Sequence, residues 1–485
     1  MAKKIVVFLI CIILVNIAIG QAEDIYIDKI VTDDSKILSS AVIEDIIAAF
    51  EGKKIDMKVL QGLVKKINDL YIEKGYITAR AILPPQEIKN GIVRIKLVEG
   101  RVGEILIENN ENTRDSFFLK RISLKSDDLI KLDSLERNIN YFNRTNDVQI
   151  SAKLKSGKKF AETDIVFNVK EPDNIQTIIF CDNGGRNETG EWRTGMAFTD
   201  KSLFRYRDRF NINLIATEGS TAGAVSYNFP LNISGTRLSM GYNKNQTDII
   251  SGEFKDIDID GDFTDLNISI NHPLRIDLKK KVYGYLELHN TESGTMFSGV
   301  ELLRTRLQSF VLGVSTQFID KKGVWVINHD LTHTRSDTDK RFLKYNGTFL
   351  RQQRFKWESI LQFKGLVQYS KDDLLPSPDQ FQLGGMSTVR GYPGGKLSGD
   401  KGYLLSLQLM KPLTKKIEGI IFIDHGGVFP YKGNDEGISD KDFISSIGIG
   451  ANINFLKNSS GKFIYGKPIK SGEEANFHIF IQQNF

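Results

Sequence analysis

The spacing of hydrophobic positions changes once along this chain, near Pro172. Before that point apolar residues recur at helical spacing between short strands. Ile43, Ile46, Ile47 and Phe50 share one face of a helix predicted over Ser39–Phe50. Leu60, Leu63, Val64, Ile67, Leu70 and Tyr71 line a second over Met57–Lys74, and Gly75 stands where a helix C-cap belongs. With strands at Asp24–Val31, Ala79–Leu83 and Ile92–Glu99, the order is β-α-α-β-β. The same order recurs over Gly103–Glu108, Arg114–Ile122, Leu132–Phe142, Gln149–Leu154 and Thr163–Glu171. A repeated supersecondary unit implies two similar small α+β domains in tandem, at 23–100 and 101–172.

Beyond Pro172 the period is two. Leu266, Ile268 and Ile270 alternate with Asn267, Ser269 and Asn271. Phe310, Leu312, Val314 and Phe318 oppose Gly313, Ser315 and Gln317, and Ile447, Ile449, Ala451, Ile453 and Phe455 oppose Gly448, Gly450, Asn452 and Asn454. A dry sandwich core would not accept so many amide and ionised side chains without partners. A water-filled lumen accepts them, and lipid takes the other face. Sixteen strands are expected over 173–485, an even number as a closed bacterial barrel requires. Their starts are placed near Gln176, Trp192, Asp208, Thr221, Arg237, Asp265, Lys281 and Leu307, then Lys322, Phe342, Lys356, Gly402, Ile417, Phe443, Lys462 and Phe477. The last strand alternates to the chain end: Phe477, Ile479, Ile481 and Phe485 on one parity, His478, Gln482 and Asn484 on the other. Phe477 and Phe485 are therefore candidate barrel-closing and assembly residues in an interfacial aromatic girdle. The fold class that follows is mostly β: a 16-stranded antiparallel transmembrane barrel behind two small α+β domains.

Other features narrow the compartment. Lys3 and Lys4 precede an apolar run, Ile5–Ile19, that ends at small residues Gly20 and Ala22, the pattern of an export signal over 1–22. The run is too short and too interrupted, by Asn16, for a spanning helix. Mean hydropathy is −0.24, and no other long apolar run exists. Loss of Cys11 with the signal would leave Cys181 alone, so no internal disulfide is expected. The net charge of +5 becomes +3 without Lys3 and Lys4, too weak an excess to indicate a nucleic-acid partner. Neither H-E-x-x-H nor G-x-S-x-G occurs, so no catalytic residue, cofactor or metal is expected. His329 and His333, two strand repeats apart, read as a surface pair rather than a metal site.

One connection, Ser370–Lys401 between the eleventh and twelfth strands, is too long for filler. It contains GGMSTVRGYPGGKLSG, in which Arg390 stands among Val389, Gly391 and Tyr392. Glycines around one bulky cation and an aromatic suit a hairpin tip in a confined space. A phosphate-loop reading fails because Leu397 follows Gly395-Lys396 where Ser or Thr is required. On the thirteenth strand Phe422-Ile423-Asp424-His425-Gly426 follows, and the apolar parity of Ile417, Ile421 and Ile423 turns Asp424 into the lumen.

These motifs carry a family resemblance. YIEKGYITARAILPPQEIKNGIVRIKLVEGRV, Tyr71–Val102, resembles the first polypeptide-transport-associated (POTRA) domain of two-partner secretion transporters, the TpsB type. LERNINYFNRTNDVQISAKLKSG, Leu135–Gly157, resembles the second. Pro84-Pro85-Gln86 within the first reads equally as a rigid turn or as a contact element. Val389-Arg390-Gly391-Tyr392 matches the motif of the sixth extracellular loop in the superfamily shared with the BAM insertase. The resemblance implies that this loop folds into the lumen and that Arg390 pairs with Asp424 of the Phe422, Asp424, Gly426 motif. Asp182-Asn183-Gly184, with Gly185 and Gly190, resembles the first barrel hairpin, and YNFPLN, Tyr227–Asn232, resembles the periplasmic turn after the fourth strand. Unlike many relatives, this chain opens its first POTRA strand almost at the expected cleavage site, leaving no room for a plug helix.

The resemblance implies an outer-membrane protein of the haemolysin/haemagglutinin secretion-activation family with its POTRA domains in the periplasm. Its expected activity is secretion, without ATP, of a large β-rich client polypeptide such as an adhesin or haemolysin. Outer-membrane lipids and the barrel-assembly machinery are its other expected partners. The alternative is a factor that inserts other barrels; two POTRA domains rather than more argue against it.

Overall fold

The structure, a computed structural model, describes residues 24–338, 340–429, 442–470 and 472–485. The expected export signal lies outside the described residues. By packing, the chain divides into two compact units. One holds residues up to Asn109 with Ile122–Asn140 and Ile150–Val169; the other holds Asn110–Arg121, Tyr141–Gln149 and everything from Lys170. Packing thus does not follow a single cut after 172, because two stretches of the second small domain cluster with the barrel.

In the N-terminal unit the helices form as Ser40–Ala48 and Met57–Glu73, the latter capped by Asp56, whose carboxylate accepts from the Val59 amide at 2.8 Å. Leu60, Leu63, Ile67 and Tyr71 project from one side of it and are fully buried with Ile27, Ile30, Val93 and Ile95. The expected first strand is split into Ile25–Ile27, paired with Lys53–Ile55, and Lys29–Thr32. Lys29–Thr32 runs parallel to Ile92–Glu99, whose other edge pairs with Ala79–Ile82. Side chains occupy the outer edges of this three-stranded sheet. Asn68 bonds both the amide (2.7 Å) and the carbonyl (3.2 Å) of Ala81, and Glu51 accepts from the Ile30 amide at 2.8 Å. Covered edges of this kind resist pairing with foreign strands. Gln86 extends the pairing beyond Ile82: its amide donates to the Arg94 carbonyl and accepts from the Arg94 amide, both at 2.8 Å. The Pro84-Pro85-Gln86 turn is therefore part of the sheet's hydrogen bonding. In the second repeat, Arg101–Glu108 pairs in parallel with Glu162–Lys170, and Gln149–Ser156 completes the sheet. Its helices are Asp115–Leu119 and Leu132–Thr145.

The second unit is a closed antiparallel barrel of sixteen strands. In chain order these are Ile175–Asp182, Arg193–Asp200, Arg209–Ala216, Ser220–Pro230, Arg237–Asp248, Ile259–Ile276, Lys280–Phe297 and Val300–Asp320. Gly323–Ser336, Arg341–Arg354, Ile360–Ser370, Lys401–Pro412, Ile417–Phe429, Asp442–Leu456, Ser459–Pro468 and Asn476–Asn484 follow. Four expected starts need correction. The sixth and eighth strands begin at Ile259 and Val300, several residues before Asp265 and Leu307, because both keep pairing with the seventh strand out to Phe297, where strict alternation has faded. The fifteenth begins at Ser459 rather than Lys462. The eleventh begins at Ile360 rather than Lys356, because Lys356–Glu358 makes a short turn with Trp357 at positive φ. Alternation sets the faces as expected: Ile421, Ile423, Ile447 and Ile449 are exposed on the outer wall, while Phe422, Asp424 and Ser446 are buried inside. His329 and His333 share the outer face with Leu331. Among the described residues no cluster of three or more His, Cys, Asp or Glu is grouped to hold a metal ion.

Candidate functional site: a loop anchored in the barrel lumen

The long connection after the eleventh strand is an ordered hairpin. Phe381–Leu383 pairs antiparallel with Leu397–Gly399, and residues 384–396 form its tip. Its base is fixed first. The Asp400 carboxylate, itself buried, accepts from the Leu374 (2.8 Å) and Leu375 (2.9 Å) amides. Asp379 holds an ion pair with Lys344 on the tenth strand, and its carbonyl accepts from Gln368 at 2.8 Å. An apolar cluster of Leu383, Val389 and Tyr392 with Leu404, Val428 and Ile444 then seats the hairpin against the twelfth to fourteenth strands.

At the tip the four residues of the loop motif do different work. Val389 and Tyr392 are buried in that cluster. Arg390 reaches Asp424 in a two-pronged ion pair, with Nε to Oδ2 and Nη2 to Oδ1 both at 2.8 Å, and its backbone amide adds a third contact at 3.1 Å. Fork geometry of this kind is the strong form of a charge-assisted hydrogen bond. The guanidinium also donates to Gln408 and, at 3.3 Å, to Ser406, while Ser406 donates to Asp424 at 2.6 Å. Its carbon lies 3.5 Å from the Phe422 ring centroid, a cation–π stack. The pair is almost completely enclosed, with Arg390 6% and Asp424 0% exposed. Removing one member of such a pair costs about 2–5 kcal/mol, because the survivor stays buried and charged.

Glycine makes this approach feasible. A Cβ on Gly466 would stand 2.0 Å from the Arg390 carbonyl oxygen, and one on Gly391 would stand 2.7 Å from the Ser446 Cβ. Gly426, the third member of the strand motif, leaves room for Leu383, which a Cβ would meet at 2.8 Å. All of Val389, Arg390, Gly391, Tyr392, Phe422, Asp424 and Gly426 thus meet in one place.

Three participants lay beyond the motifs. Ser406 and Gln408 face Asp424 and Phe422 across the strand pair, and His478 on the last strand bonds the Arg390 carbonyl through Nε2 at 3.2 Å. Each is a polar residue on the inward parity of an alternating strand, Ser406 and Gln408 among Leu405, Leu407 and Leu409. That signal was available, but nothing local identified their partner.

Barrel closure is a separate contact. The last strand pairs with the first over Phe480↔Asp182 to Asn484↔Ile178, and Phe485 exchanges backbone bonds with Thr177 at 2.8 and 3.3 Å. At the other end Asn183 staples the seam, donating to the Phe477 carbonyl and accepting from the Ile479 amide, both at 2.7 Å. Phe477 and Phe485 are exposed on the outer wall, as interfacial aromatics are. Asp182 is buried and binds the Gly184 amide and Arg193 Nε, both at 2.7 Å, which accounts for the first-hairpin motif.

Comparison with known proteins identifies the family. The family "Haemolysin secretion/activation protein ShlB/FhaC/HecB" matches residues 161–453, more than half of the chain, and the ShlB-type POTRA domain matches 25–100. The chain is 23% identical over 466 residues to the heme/hemopexin transporter protein HuxB of Haemophilus influenzae, covering 90% of this chain and 82% of that protein. It is 25% identical to the hemolysin transporter protein HpmB of Proteus mirabilis, covering 77% and 69%. Among solved structures, CdiB from Acinetobacter baumannii superposes with a TM-score of 0.67 at 16% identity, over 96% of this chain and 91% of that one. BamA from Haemophilus ducreyi superposes at 0.62, also at 16% identity, over 95% and 100%. Fold, motifs and sequence converge: the chain belongs to the haemolysin secretion/activation family ShlB/FhaC/HecB, outer-membrane transporters of partner proteins whose POTRA domains lie in the periplasm.

Proposed function

We propose that this transporter moves an unfolded partner polypeptide through the barrel without nucleotide hydrolysis, and that the lumen loop 370–401 is central to the passage. The observation that carries the reading is the enclosed Arg390–Asp424 fork, which ties a long loop to the barrel wall. An enclosed charged anchor is a costly way to hold an idle loop. No nucleotide motif occurs in the sequence, so folding of the client outside the cell supplies the driving force by burying surface and opposing return. The protein is on this reading not an enzyme. Its client is a large β-rich exported protein of the class that relatives named as hemolysin and heme/hemopexin transporters handle.

The segments 23–100 and 101–172 act as two periplasmic POTRA domains that receive the client, residues 1–22 serve as the export signal, and the barrel-assembly machinery inserts 173–485 by reading Phe477 and Phe485. Since side chains cover both outer edges of the first domain's sheet, the client meets that domain through a groove or displaces Asn68 rather than adding to a bare edge. Secretion of the cognate partner into the medium tests the division of labour. Deleting 24–170 is expected to abolish secretion while the barrel still assembles as a heat-modifiable membrane protein. Undiminished secretion by the deletion would refute the role given to these domains.

A further inference from the structure

The periplasmic end of the barrel carries a groove that the transport reading does not use. It lies on the outer wall, as strand parity establishes. Asn211, Ser226, Asn228 and Ser239 line a cavity of about 490 Å³ inside the lumen, so Tyr227 and Phe229, of opposite parity, face outward with exposed Val225. Tyr227 and Phe229 stack at 5.5 Å, and Phe204 from the turn before the third strand meets Tyr227 edge-on at 6.2 Å. Together with Ile233 they wall a groove of about 320 Å³ whose rim holds Lys120 and Arg121. Phe204 and Ile233 are large apolar groups exposed at 59% and 58%.

The rim carries two cations, Lys120 and Arg121. Neither Lys120 nor Arg121 has an ion pair among the described residues. Arg121 donates to the Phe117 (3.0 Å) and Asn232 (3.3 Å) carbonyls and stacks 3.7 Å from the Phe117 ring. Burial and the nearby Arg237 charge pull Arg121 down to about 10, the response of a desolvated cation with no anion beside it. Arg114 is bonded to the Tyr206 hydroxyl at 3.3 Å and adds a third positive charge. One carboxylate lines the groove itself: Asp208 accepts from the Phe204 and Tyr206 amides and from the Tyr227 hydroxyl, while Asp115 accepts from Asn110.

We propose that this groove binds an anionic phospholipid of the periplasmic leaflet, with an acyl chain along Phe204, Tyr227, Phe229 and Ile233 and the phosphate at Lys120 and Arg121. Three observations commit it to a lipid. The aromatic wall is continuous with the lipid-facing surface of the barrel. It sits at the strand ends, where interfacial aromatics belong. The charge above it matches a phosphate, each basic group near an anionic surface strengthening binding about fivefold. The site would also fasten the Asn110–Arg121 segment, which packs with the barrel unit, to the membrane surface.

Native mass spectrometry of the detergent-extracted full protein, titrated with phosphatidylglycerol or phosphatidylcholine, tests this. Wild type is expected to retain one phosphatidylglycerol in preference to phosphatidylcholine. Lys120→Gln/Arg121→Gln should remove most of that preference, about fivefold per cation. Lys415→Gln/Lys416→Gln, in a turn at the same end of the barrel, should leave it intact. Phe204→Ser should weaken retention with the charge unchanged. Heat-modifiable migration confirms assembly of each variant, and Lys120→Gln alone, an exposed change, serves if the double variant does not assemble. Equal retention of the two lipids by wild type would overturn the proposal, as would equal losses in the two lysine-directed variants. Unchanged binding by Phe204→Ser, or displacement of the lipid by soluble glycerol phosphate, would do the same by showing a site for the anion alone.

Discussion

Two walls of one barrel are built on opposite terms. The wall under the loop, strands twelve to fifteen, is lined with glycine and small residues, packs an apolar cluster and encloses a charged fork from water. The wall of strands five to nine is wet. Asp265 there binds His289, Asn243, Asn267 and Thr291, and its residues line cavities of about 600 and 450 Å³ inside the lumen. One glycine from each wall shows the contrast. Gly466 is needed because the loop backbone touches the wall, whereas a Cβ on Gly261 would meet nothing closer than 3.8 Å. One side is shaped to hold a loop in a single place; the other keeps open, polar space. A conduit that also contains a fixed element needs both.

The largest effect that separates the two walls is expected from one added methyl. Gly466→Ala should drive the Arg390 carbonyl off its seat and abolish secretion, since the clash is with backbone and no side chain can swing away. Gly261→Ala on the wet wall should secrete as wild type. Equal behaviour of the two in assembled barrels would erase the contrast.

A smaller effect is expected at the seam. Removing Phe485 takes away two backbone bonds to Thr177 and an interfacial aromatic, so outer-membrane levels should fall several-fold while the assembled fraction still secretes. Immunoblotting of membrane fractions measures this, and undiminished levels would reduce Phe485 to ordinary girdle packing.

The smallest effect lies in the first POTRA domain. Burial, with Glu99 beside it, pushes the Tyr71 phenol from its ordinary value near 10 up to about 12. A phenol raised in this way contributes stability that is whole below pH 10 and is lost as the pH rises toward 12. Hydrogen exchange in Met57–Glu73 should therefore accelerate more steeply over that window in wild type than in Tyr71→Phe. Parallel pH profiles would show that the phenol plays no part.

Most of the barrel was legible because lipid on one side and water on the other force a period of two that a reader can count. At Ile259–Thr264 and Val300–Arg306 the alternation loses its contrast, and the pattern alone places the strand starts late. The loop anchor was legible for a different reason. Arg390 and Asp424 each stand in a compact motif, and parity alone turned Asp424 inward. Gln408 and His478 were not, because their roles depend on which strands the loop lies against, a fact of tertiary packing that no local pattern encodes. The same limit hid the Asn183 staple, which joins residues nearly the full barrel apart in sequence.

The proposed role of the anchored loop depends on the coupling between Arg390 and Asp424, and a double-mutant cycle read out as secretion of the partner by assembled barrels measures it most directly. Arg390→Ala and Asp424→Ala should each abolish most secretion, consistent with about 2–5 kcal/mol lost from the anchor, and the double variant should be little worse than either. Arg390→Lys should recover only part, because an ammonium cannot make the two-pronged contact. Strictly additive losses would contradict the pairing, and wild-type secretion by Arg390→Ala would contradict the larger claim that the anchored loop is central to transport.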